Sequence, residues 1–600
     1  MATDWSQLKQ NRSAKQQKPH SASSSSPPAP AATSDPQLTS SQPSHDTQPL
    51  KWTPADLPPS LAVQSIPGRG RGVVARERVK RGVTLLATTT LVSVLDAHNL
   101  PHRCSHCFRS VDDLEAPVVV SAPKLLQCSL CHIVQYCSAS CQKSDWLIHK
   151  KECAALRNAV KRRKESGAKH LPDAPLRALG RLLWSAQSTS SGKEVWQQVE
   201  SLESHRTRLS PEEQERFFQL SVSLSAYVGQ DTLAQSCPDA AAVIDLCSRF
   251  VSNSFALTCP TDLSNIGVSI SPLTALINHS CAPNAVVVFP SFPTTPSSSS
   301  SSKNMAVIAL RDLEQGEEVL TSYVDLSLPR QERQKELEER YNFQCACEEC
   351  TLSRRVDPRE AMLCPAAAKS GCEGLIAIPE PDSKVAEVEC SKCGTSAPYK
   401  DVHPAIGAAK SAYADAEKAQ YTDPRLAMLH LSNIISSLTT SLRPTPSLAP
   451  SACPLYSALQ LLLTLQLHAH QFDAALATAS IALRGTHLLF PRGHPVLALL
   501  MTTHARLVTT PPVSDPARPE QEAQYWMATP QRVRDVQALV AALREVEVAF
   551  GDGSKGEGPQ GRKGKGGEMA QMLRTLIRDQ EEGIEMGRRM KASMAAQQQQ

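Results

Sequence analysis

The chain has 600 residues, with 63 basic and 59 acidic side chains and a formal net charge of +4. A chain of this length exceeds what one hydrophobic core supports, so we expect two to four domains. The near balance of charge gives no bulk support for nucleic-acid binding as the primary function. We find no run apolar enough to span a bilayer and no signal-peptide pattern, so we expect a chain of the nucleus or cytoplasm, with reduced cysteines and no membrane partner.

Residues 1–55 are rich in Ser, Pro, Gln and Ala. Such a segment buries too little apolar surface to offset its ordering entropy, which predicts disorder. In residues 56–103, short apolar runs between glycines and basic residues predict strands. The run from Pro67 to Gly72 alternates Gly and Arg, and its glycines would let backbone approach a ligand closely.

Residues 104–153 contain eight potential metal ligands in closely spaced pairs. Two tetrahedral zinc sites need eight such donors, and a C-x2-C turn places two thiolates on one metal. The alternative, a set of buried free cysteines, is disfavoured by this density. His149 stands four residues before a cysteine in a predicted helix, so the two share a face. The ligands are Cys104, Cys107, Cys128, Cys131, Cys137, Cys141, His149 and Cys153.

Residues 154–242 have helical periodicity, with Ser210 and Glu213 as a predicted capping box. Residues 243–328 continue as a helix and then as strands, and the Ser-rich segment 293–303 is predicted to be the tip of an extended hairpin. Two polar motifs stand out in the second range. They are Asn278-His279-Ser280-Cys281-x2-Asn284 and Gly316-Glu-Glu-Val-Leu-Thr-Ser-Tyr323.

Residues 329–400 contain two further groups of cysteines. Cys345, Cys347 and Cys350 are three thiols that need a fourth ligand. The second group, whose first pair is irregularly spaced, predicts either a zinc site or a partly buried loop without metal. This group consists of Cys364, Cys372, Cys390 and Cys393.

Residues 401–550 read as successive helices with Ala and Leu on one face. Their arrangement suggests a TPR-like array, although no strict TPR signature repeats. Residues 551–600 begin with a Gly- and Lys-rich stretch and end in four glutamines. This composition predicts a low-complexity tail with a flexible linker, one polar helix and a disordered end.

The spacing of the first ligand group and the segment YCSASCQKSDWLIHKKEC resemble the MYND finger. The resemblance implies interleaved sites, in which Cys104, Cys107, Cys137 and Cys141 hold one zinc and Cys128, Cys131, His149 and Cys153 hold the other. It also implies binding of proline-containing partner proteins. A nucleic-acid role for the adjoining basic residues stays open, but a charge run is usually a solvated face.

The Gly-rich turn, the Asn278 motif, and the Tyr323 motif followed by Arg340-Tyr341-Asn342-Phe343 together resemble a SET domain. A MYND insertion between the first two segments narrows the resemblance to the SMYD family of SET and MYND domain proteins. The implied fold is α+β and multidomain: a β-rich SET domain split by the zinc-binding finger, followed by a helical TPR-like domain. Its ranges would be 56–103 (N-terminal SET), 104–153 (MYND), 154–242 (helical SET insertion), 243–328 (core SET), 329–400 (post-SET zinc region), 401–550 (TPR-like) and 551–600 (tail).

Carried over residue by residue, the resemblance implies a site for S-adenosylmethionine beside a lysine channel. Cys281 would be the fourth ligand for Cys345, Cys347 and Cys350, which gives three structural zinc ions and leaves a fourth, at Cys364 and its group, open. Tyr323 and Tyr341 would be catalytic. The cofactor-binding residues would be Arg69, Gly70, Arg71, His205, Asn253, Asn278, His279, Tyr323 and Phe343.

The function implied is methyl transfer to a lysine amine of a histone tail or another protein, by a monomer. Without the motifs, the two tyrosines would read as core residues and His205 as a surface residue. Two other interpretations compete: a non-catalytic scaffold that binds proline-containing partners in transcriptional regulation, and a zinc-dependent nucleic-acid binder. The sequence leaves the substrate, the degree of methylation and the role of the helical domain open.

Overall fold

The computed structural model describes residues 57–110, 124–166, 171–188, 191–291, 305–351, 356–440, 442–510, 529–551 and 565–598. The segment expected to be disordered, 1–55, and the hairpin tip, 293–303, lie outside these residues. Within them, no helix combines the length and apolar character that crossing a membrane requires.

Small sheets that pair distant parts of the chain form the β-rich domain. An antiparallel hairpin joins β1 and β2, β11 lies between β3 and β10, β8 lies between β4 and β7, and β9 runs parallel to β12. The strands are β1 (Leu61–Ile66), β2 (Gly70–Ala75), β3 (Thr84–Thr88), β4 (Val92–Leu95), β7 (Ser254–Thr258), β8 (Asn265–Ile270), β9 (Asn278–His279), β10 (Ala285–Val288), β11 (Met305–Ala309) and β12 (Leu320–Thr321).

Two of these pairings close the domain across the insertion. Strand β3 pairs with β11 and β4 with β8, so residues before the finger share sheets with residues after it. All five residues of β11 are buried, as expected of a central strand. The antiparallel pairing of β10 with β11 places the two flanks of segment 292–304 side by side, as in a hairpin.

The inserted finger is a short hairpin followed by a long helix, and five more helices lead back to the sheets. Ser210 and Glu213 form the capping box that the sequence predicts, with both reciprocal hydrogen bonds. The elements are β5 (Leu126–Gln127), β6 (Gln135–Tyr136), α1 (Ala139–Ser166), α2 (Ala174–Ser188), α3 (Gly192–Glu200), α4 (Pro211–Val228), α5 (Gln230–Ala234) and α6 (Ala240–Asn253), with a 3-10 helix at Arg206–Arg208.

The region after β12 contains short elements around its cysteines. Helix α7 ends at Tyr341, where Asn342 takes the left-handed conformation that commonly stops a helix. Two hairpins then join β13 to β14 and β15 to β16. The elements are α7 (Arg330–Tyr341), α8 (Glu348–Thr351), β13 (Ala361–Leu363), α9 (Ala367–Ser370), β14 (Leu375–Ala377), β15 (Glu387–Glu389) and β16 (Ser396–Pro398), with 3-10 helices at Thr274–Leu276 and Pro358–Glu360.

The C-terminal part is helical, as predicted, and its core is rich in Ala and Leu. Small Ala side chains such as Ala475, Ala479 and Ala482, all 0% exposed, let neighbouring helices approach closely. The helices are α10 (His403–Ala419), α11 (Pro424–Thr439), α12 (Leu455–His468), α13 (Phe472–Leu489), α14 (Pro495–Val508), α15 (Pro530–Ala549) and α16 (Gly567–Gln598).

The sequence predicts one polar helix within residues 551–600, and helix α16 lies there. Its packing was not predicted: Met569, Ala570 and Leu573 on one face are fully buried, in an apolar cluster that also contains Ala306 and Ile308 of β11. The composition is polar because the other face is solvated, but the apolar residues share one side at helical spacing. The N-terminal half of α16 is therefore part of the folded body.

Candidate active site and metal centres

The Gly-rich turn between β1 and β2 brings backbone close to the Asn278 motif. Gly70 has a φ of 77°, a conformation that favours glycine. A Cβ at Gly72 would lie 2.8 Å from Oε1 of Glu318 and 2.9 Å from Nδ2 of Asn278. Position 72 therefore requires glycine for this close approach.

Asn278 and Glu318 join the turn to strands β9 and β12. The Asn278 amide donates from Nδ2 to the Arg71 carbonyl oxygen at 3.1 Å and to Glu318 Oε1 at 2.8 Å. Arg69, which is exposed, pairs with the same carboxylate at 3.1 Å. Glu318 is thus shared by the turn and the Asn278 motif.

The Gly-rich turn, Asn278 and Glu318 form one polar patch. Arg71 connects this patch to the segment before the 3-10 helix at Arg206–Arg208. Its Nη2 donates to the Ser201 carbonyl oxygen at 2.6 Å, and the Glu203 carboxylate also acts on its charge. Asn253, the last residue of α6, donates from Nδ2 to the Glu203 carbonyl oxygen at 2.9 Å. His205 lies beside them, half-buried, and burial lowers its pKa. Four segments distant in sequence therefore meet.

A group of aromatic rings lies at the Tyr323 end of the patch. The Tyr323 hydroxyl donates to the Ile277 carbonyl oxygen at 2.6 Å. Its ring centroid is 4.9 Å from that of Tyr341 and 5.3 Å from that of His279, and the His279 ring is 5.9 Å from that of Phe343. Burial, followed by the Tyr341 and Glu318 charges, raises the pKa of Tyr323 above its usual range, so the hydroxyl keeps its proton.

A fourth thiol lies beside the first cysteine group of the 329–400 region. Cys281, Cys345, Cys347 and Cys350, here called the post-SET cluster, have ligand atoms within 4.8 Å of one another. Four thiolates at this range are the donor set of a structural zinc. Arg333 is fully buried beside them, and a guanidinium there offsets the negative charge of a four-thiolate site.

His279 connects the post-SET cluster to the aromatic group. Its Nδ1 accepts from the Tyr323 backbone N–H at 3.0 Å, which leaves the proton of a neutral ring on Nε2. That Nε2 is 3.4 Å from the Cys281 Sγ. The imidazole therefore spans the distance between a metal ligand and the Tyr323 backbone.

The eight ligands of the inserted finger fall into the two interleaved sets that the resemblance implies. Both sets gather within 4.8 Å: Cys104, Cys107, Cys137 and Cys141 as the first finger cluster, and Cys128, Cys131, His149 and Cys153 as the second finger cluster.

A buried charged network supports the second finger cluster. His149 Nδ1 is 3.3 Å from Glu152, whose carboxylate pairs with Arg177 at 2.8 Å and Arg181 at 2.5 Å. Arg181 also pairs with Asp145, which accepts from the Tyr136 hydroxyl at 2.8 Å. Burial alone would raise the pKa of Glu152, but the two guanidinium groups hold this pKa below its usual range. Helix α2 thus supplies both cations that fix α1 of the finger.

The cysteine group whose metal binding the sequence leaves open also gathers. Cys364, Cys372, Cys390 and Cys393, here called the hairpin cluster, have Sγ atoms within 4.8 Å of one another. They lie on and beside the two hairpins of β13 to β16.

Comparison with known proteins agrees with this geometry. The MYND finger model matches residues 104–153. N-lysine methyltransferase SMYD2 of Gallus gallus is 30% identical over 293 residues, 48% of this chain and 59% of that protein. Histone-lysine N-methyltransferase SMYD3 of Homo sapiens is 28% identical over 284 residues, 47% of this chain and 59% of that protein. Over about half of its length the chain is therefore similar to SMYD-family lysine methyltransferases.

A wider match reaches into the helical domain of the chain. Histone-lysine N-methyltransferase ASHR1 of Arabidopsis thaliana is 24% identical over 458 residues, 74% of this chain and 86% of that protein. The chain spans about six-tenths of the length of SMYD2 and SMYD3.

The structure brings the residues that the sequence predicts for cofactor binding and catalysis into one connected patch. Sequence reasoning missed two carboxylate residues in it, Glu318 and Glu203. Glu318 lies inside the quoted Gly316–Tyr323 motif, so its position carried a signal; Glu203 contacts Asn253 through its backbone, which residue type does not reveal.

Proposed function

We propose that this chain is a SMYD-family, S-adenosylmethionine-dependent protein-lysine N-methyltransferase. One observation carries the proposal: hydrogen bonds connect the segments of Asn253, Arg71, Asn278 and Tyr323. Asn253 bonds the Glu203 carbonyl oxygen and Arg71 bonds that of Ser201, two residues away. Asn278 bonds the Arg71 carbonyl oxygen, and Tyr323 bonds that of the adjoining Ile277. The names of the relatives, which are lysine methyltransferases, support it.

The polar end of this patch suits S-adenosylmethionine, which combines a cation with a carboxylate, an amine and a purine. The guanidinium groups of Arg69 and Arg71 match the carboxylate, and the Glu318 carboxylate suits a positively charged ligand. Asn253 and His205 are half-buried and add amide and imidazole groups. When bound, this cofactor supplies an electrophilic methyl group on a sulfonium. We assign Arg69, Gly70, Arg71, His205, Asn253, Asn278, His279 and Phe343 to its binding.

The aromatic end suits the side chain of a substrate lysine. Two tyrosine rings 4.9 Å apart, both partly buried, can pack against an aliphatic stem. A lysine amine would take the methyl group through its lone pair, while the methyl–sulfur bond would break and leave a neutral thioether. The amine must therefore lose a proton first, and apolar surroundings favour this by lowering the lysine pKa. The Tyr323 hydroxyl is held by Ile277 and stays neutral, so its oxygen can orient the uncharged amine.

The decisive experiment compares Tyr323→Phe with wild type in transfer of a labelled methyl group to a peptide or proteome array. Loss of the hydroxyl is expected to lower the transfer rate by about 10²–10³-fold, while cofactor binding and the unfolding midpoint stay unchanged. Tyr421→Phe is the matched control, because Tyr421 is 53% exposed on the helical domain. Wild-type turnover by Tyr323→Phe, or no cofactor binding by the wild type, would favour the scaffold interpretation.

A second function, recruitment of a proline-containing partner, is favoured by an apolar surface on the finger. Leu126, Leu130, Trp146 and Leu147 are 57%, 52%, 40% and 48% exposed. Exposed large apolar groups on one small module commonly mark a binding surface, and an indole packs well on a proline ring. Trp146→Ala should weaken binding of a proline-rich peptide by roughly tenfold or more.

The matched control for this surface is Leu429→Ala, since Leu429 is 58% exposed on α11, outside the finger. Isothermal titration with one labelled proline-rich peptide distinguishes the two variants. Equal affinities for both would end the assignment to the finger.

A further inference from the structure

The hairpin cluster has the backbone geometry of a metal site. The Ala366 N–H lies 3.3 Å from Cys364 Sγ, that of Gly374 3.4 Å from Cys372 Sγ, and that of Lys392 3.4 Å from Cys390 Sγ. In each case the donor is the second residue after the cysteine. Such N–H groups stabilise thiolates, which are the form that binds metal.

One pair in this cluster repeats the turn found at the finger's ligand pairs. In the finger, Cys104 and Cys107 are followed by Phe108 at a φ of 65°, and its N–H donates to the Cys104 carbonyl oxygen at 2.9 Å. Cys390 and Cys393 are followed by Gly394 at a φ of 69°, whose N–H donates to the Cys390 carbonyl oxygen at 3.0 Å.

A second hydrogen bond, donated by the N–H of the first cysteine, is also the same in the Cys104 and Cys390 pairs. The Cys104 N–H donates to the Arg109 carbonyl oxygen at 2.9 Å, and the Cys390 N–H donates to that of Thr395 at 3.1 Å, each five residues on. The finger's other C-x2-C pair, which begins at Cys128, is similarly followed by a positive-φ residue, His132 at 54°. All three pairs therefore share the positive-φ residue and its N–H bond to the carbonyl oxygen of the first cysteine, and in the Cys128 pair the Cys128 N–H donates one residue farther on, to Val134.

The close packing around the sulfur atoms explains a glycine as well. The Sγ atoms of Cys364 and Cys393 are 3.5 Å apart, and those of Cys372 and Cys390 are 3.9 Å apart. A Cβ on Gly374 would collide with the Cys390 Sγ and lie 3.3 Å from that of Cys372. Four sulfur atoms at this spacing surround a volume that suits one tetrahedral ion.

We propose that the hairpin cluster binds a fourth structural zinc, and that this zinc fastens the helical domain to the SET part. Zinc is the ion of choice because four thiolates form a soft, closed, tetrahedral donor set. The proposal is independent of methyl transfer, since it concerns a site outside the catalytic patch.

The two hairpins contact the helical domain, so a zinc that holds them together would also stabilise that contact. Strand β13 contacts the loop between α11 and α12, where the Leu363 N–H donates to the Ser447 carbonyl oxygen and the Ala449 N–H to that of Ala361, both at 2.9 Å. Ile376 and Val388 of the hairpins are buried in the same apolar core as the helices. The metal-bound hairpins thus form part of the helical domain's core.

The other side of the junction reaches the SET part through Arg359, which is 3% exposed. Its Nε donates to the Leu326 carbonyl oxygen at 2.5 Å, and its Nη1 pairs with Glu349 and Asp357 at 3.0 Å each. Leu326 is three residues from Tyr323. Only two residues separate Arg359 from Met362, so one short segment connects both parts.

Native mass spectrometry of the full chain, with elemental analysis, tests the proposal. The wild type should hold one zinc at each of its four clusters, hence four per folded chain. The double variant Cys372→Ser, Cys393→Ser should hold one fewer, and Cys453→Ser, at a half-buried cysteine outside every cluster, should hold as many as wild type. A wild type with only three zinc ions, iron in the fourth site, or a double variant with an undiminished count would overturn the proposal.

A conservative variant guards against misfolding of the double variant. Cys393 is exposed and imidazole is also a zinc ligand, so Cys393→His should keep the full count. Loss of the fourth zinc should also remove hydrogen-exchange protection at residues 447–449 while leaving that of Cys128 and Cys131 unchanged. Unaltered protection at 447–449 after loss of the ion would overturn the fastening role.

Discussion

The second finger cluster and the post-SET cluster use similar ligands in different surroundings. Around the first, Glu152 is completely buried between His149 and the guanidinium groups of Arg177 and Arg181. Around the second, His279 is the connecting group, and it contacts the Tyr323 backbone and the rings of Tyr323 and Phe343.

The difference indicates two uses of the same metal chemistry. A charged network that crosses from α1 to α2 fixes how the finger sits on the SET insertion, since every member loses its partner if the helices part. An imidazole between Cys281 and Tyr323 fixes a single side chain in the catalytic patch. Damage to the first should therefore cost stability, and damage to the second should cost activity.

The largest expected effect comes from Cys347→Ser in the post-SET cluster. Loss of that zinc would release Cys281 and shift Tyr323, and misplacement by about 1 Å costs roughly 10²-fold in rate. Methyl transfer at saturating substrates measures it, with Cys131→Ser of the second finger cluster as the matched variant. Equal activity losses in both variants would contradict the assignment of activity to the post-SET cluster and of stability to the second finger cluster.

A large effect on stability is expected from Glu152→Gln. It leaves the buried Arg177 guanidinium without its carboxylate, while Arg181 keeps Asp145, and an unpaired buried charge costs about 3–5 kcal/mol in the free energy of unfolding. Glu165→Gln, at an exposed position on the same helix, should unfold like wild type. Denaturant titration gives both values, and an unchanged midpoint for Glu152→Gln would show that the network does not hold the finger.

A smaller effect is expected from His279→Gln. The zinc should remain bound while methyl transfer falls by roughly 10–100-fold, because groups that orient metal ligands and their neighbours typically contribute this much. Zinc content and transfer rate are measured on the same preparation. His98→Gln, at an exposed histidine, serves as control, and loss of the post-SET zinc would place His279 in a structural role instead.

The smallest effect is expected from Asn253→Ala, which contacts neither cluster. Two hydrogen bonds to carbonyl oxygens, of Glu203 at 2.9 Å and Arg249 at 2.7 Å, would be lost. The affinity for S-adenosylmethionine should fall by about 1 kcal/mol, roughly fivefold, with the zinc count unchanged. Calorimetric titration of the cofactor checks this, and an unaltered affinity would remove Asn253 from the site.

The sequence predicted which ligands gather in the finger because spacing marked the ligand pairs and the MYND resemblance supplied their interleaving, whereas it left metal binding at the hairpin cluster open. Cys281 was assigned to Cys345, Cys347 and Cys350 from the SET resemblance. The assignment agreed with the need of a three-thiol group for a fourth ligand. In the structure the four Sγ atoms lie within 4.8 Å of one another. The split domain followed from motif order in the same way, and the pairing of β3 with β11 agrees with it.

The remainder depended on contacts between residues far apart in the chain. Nothing local marks Arg177 and Arg181 as partners of Glu152, since charged residues on a helix usually face solvent. Nor does local composition reveal that Met569 and Leu573 of α16 share an apolar cluster with residues of strand β11, because those residues belong to another domain.

The late position of helix α16 in the chain has a consequence during synthesis. About 260 residues separate Ala309 from Gly567, and at roughly 5–20 residues per second a ribosome needs about 13–50 s to make them. The apolar cluster that contains Ala306 and Ile308 lacks Met569, Ala570 and Leu573 for that time. We therefore expect the nascent chain to leave part of this cluster exposed to solvent for tens of seconds.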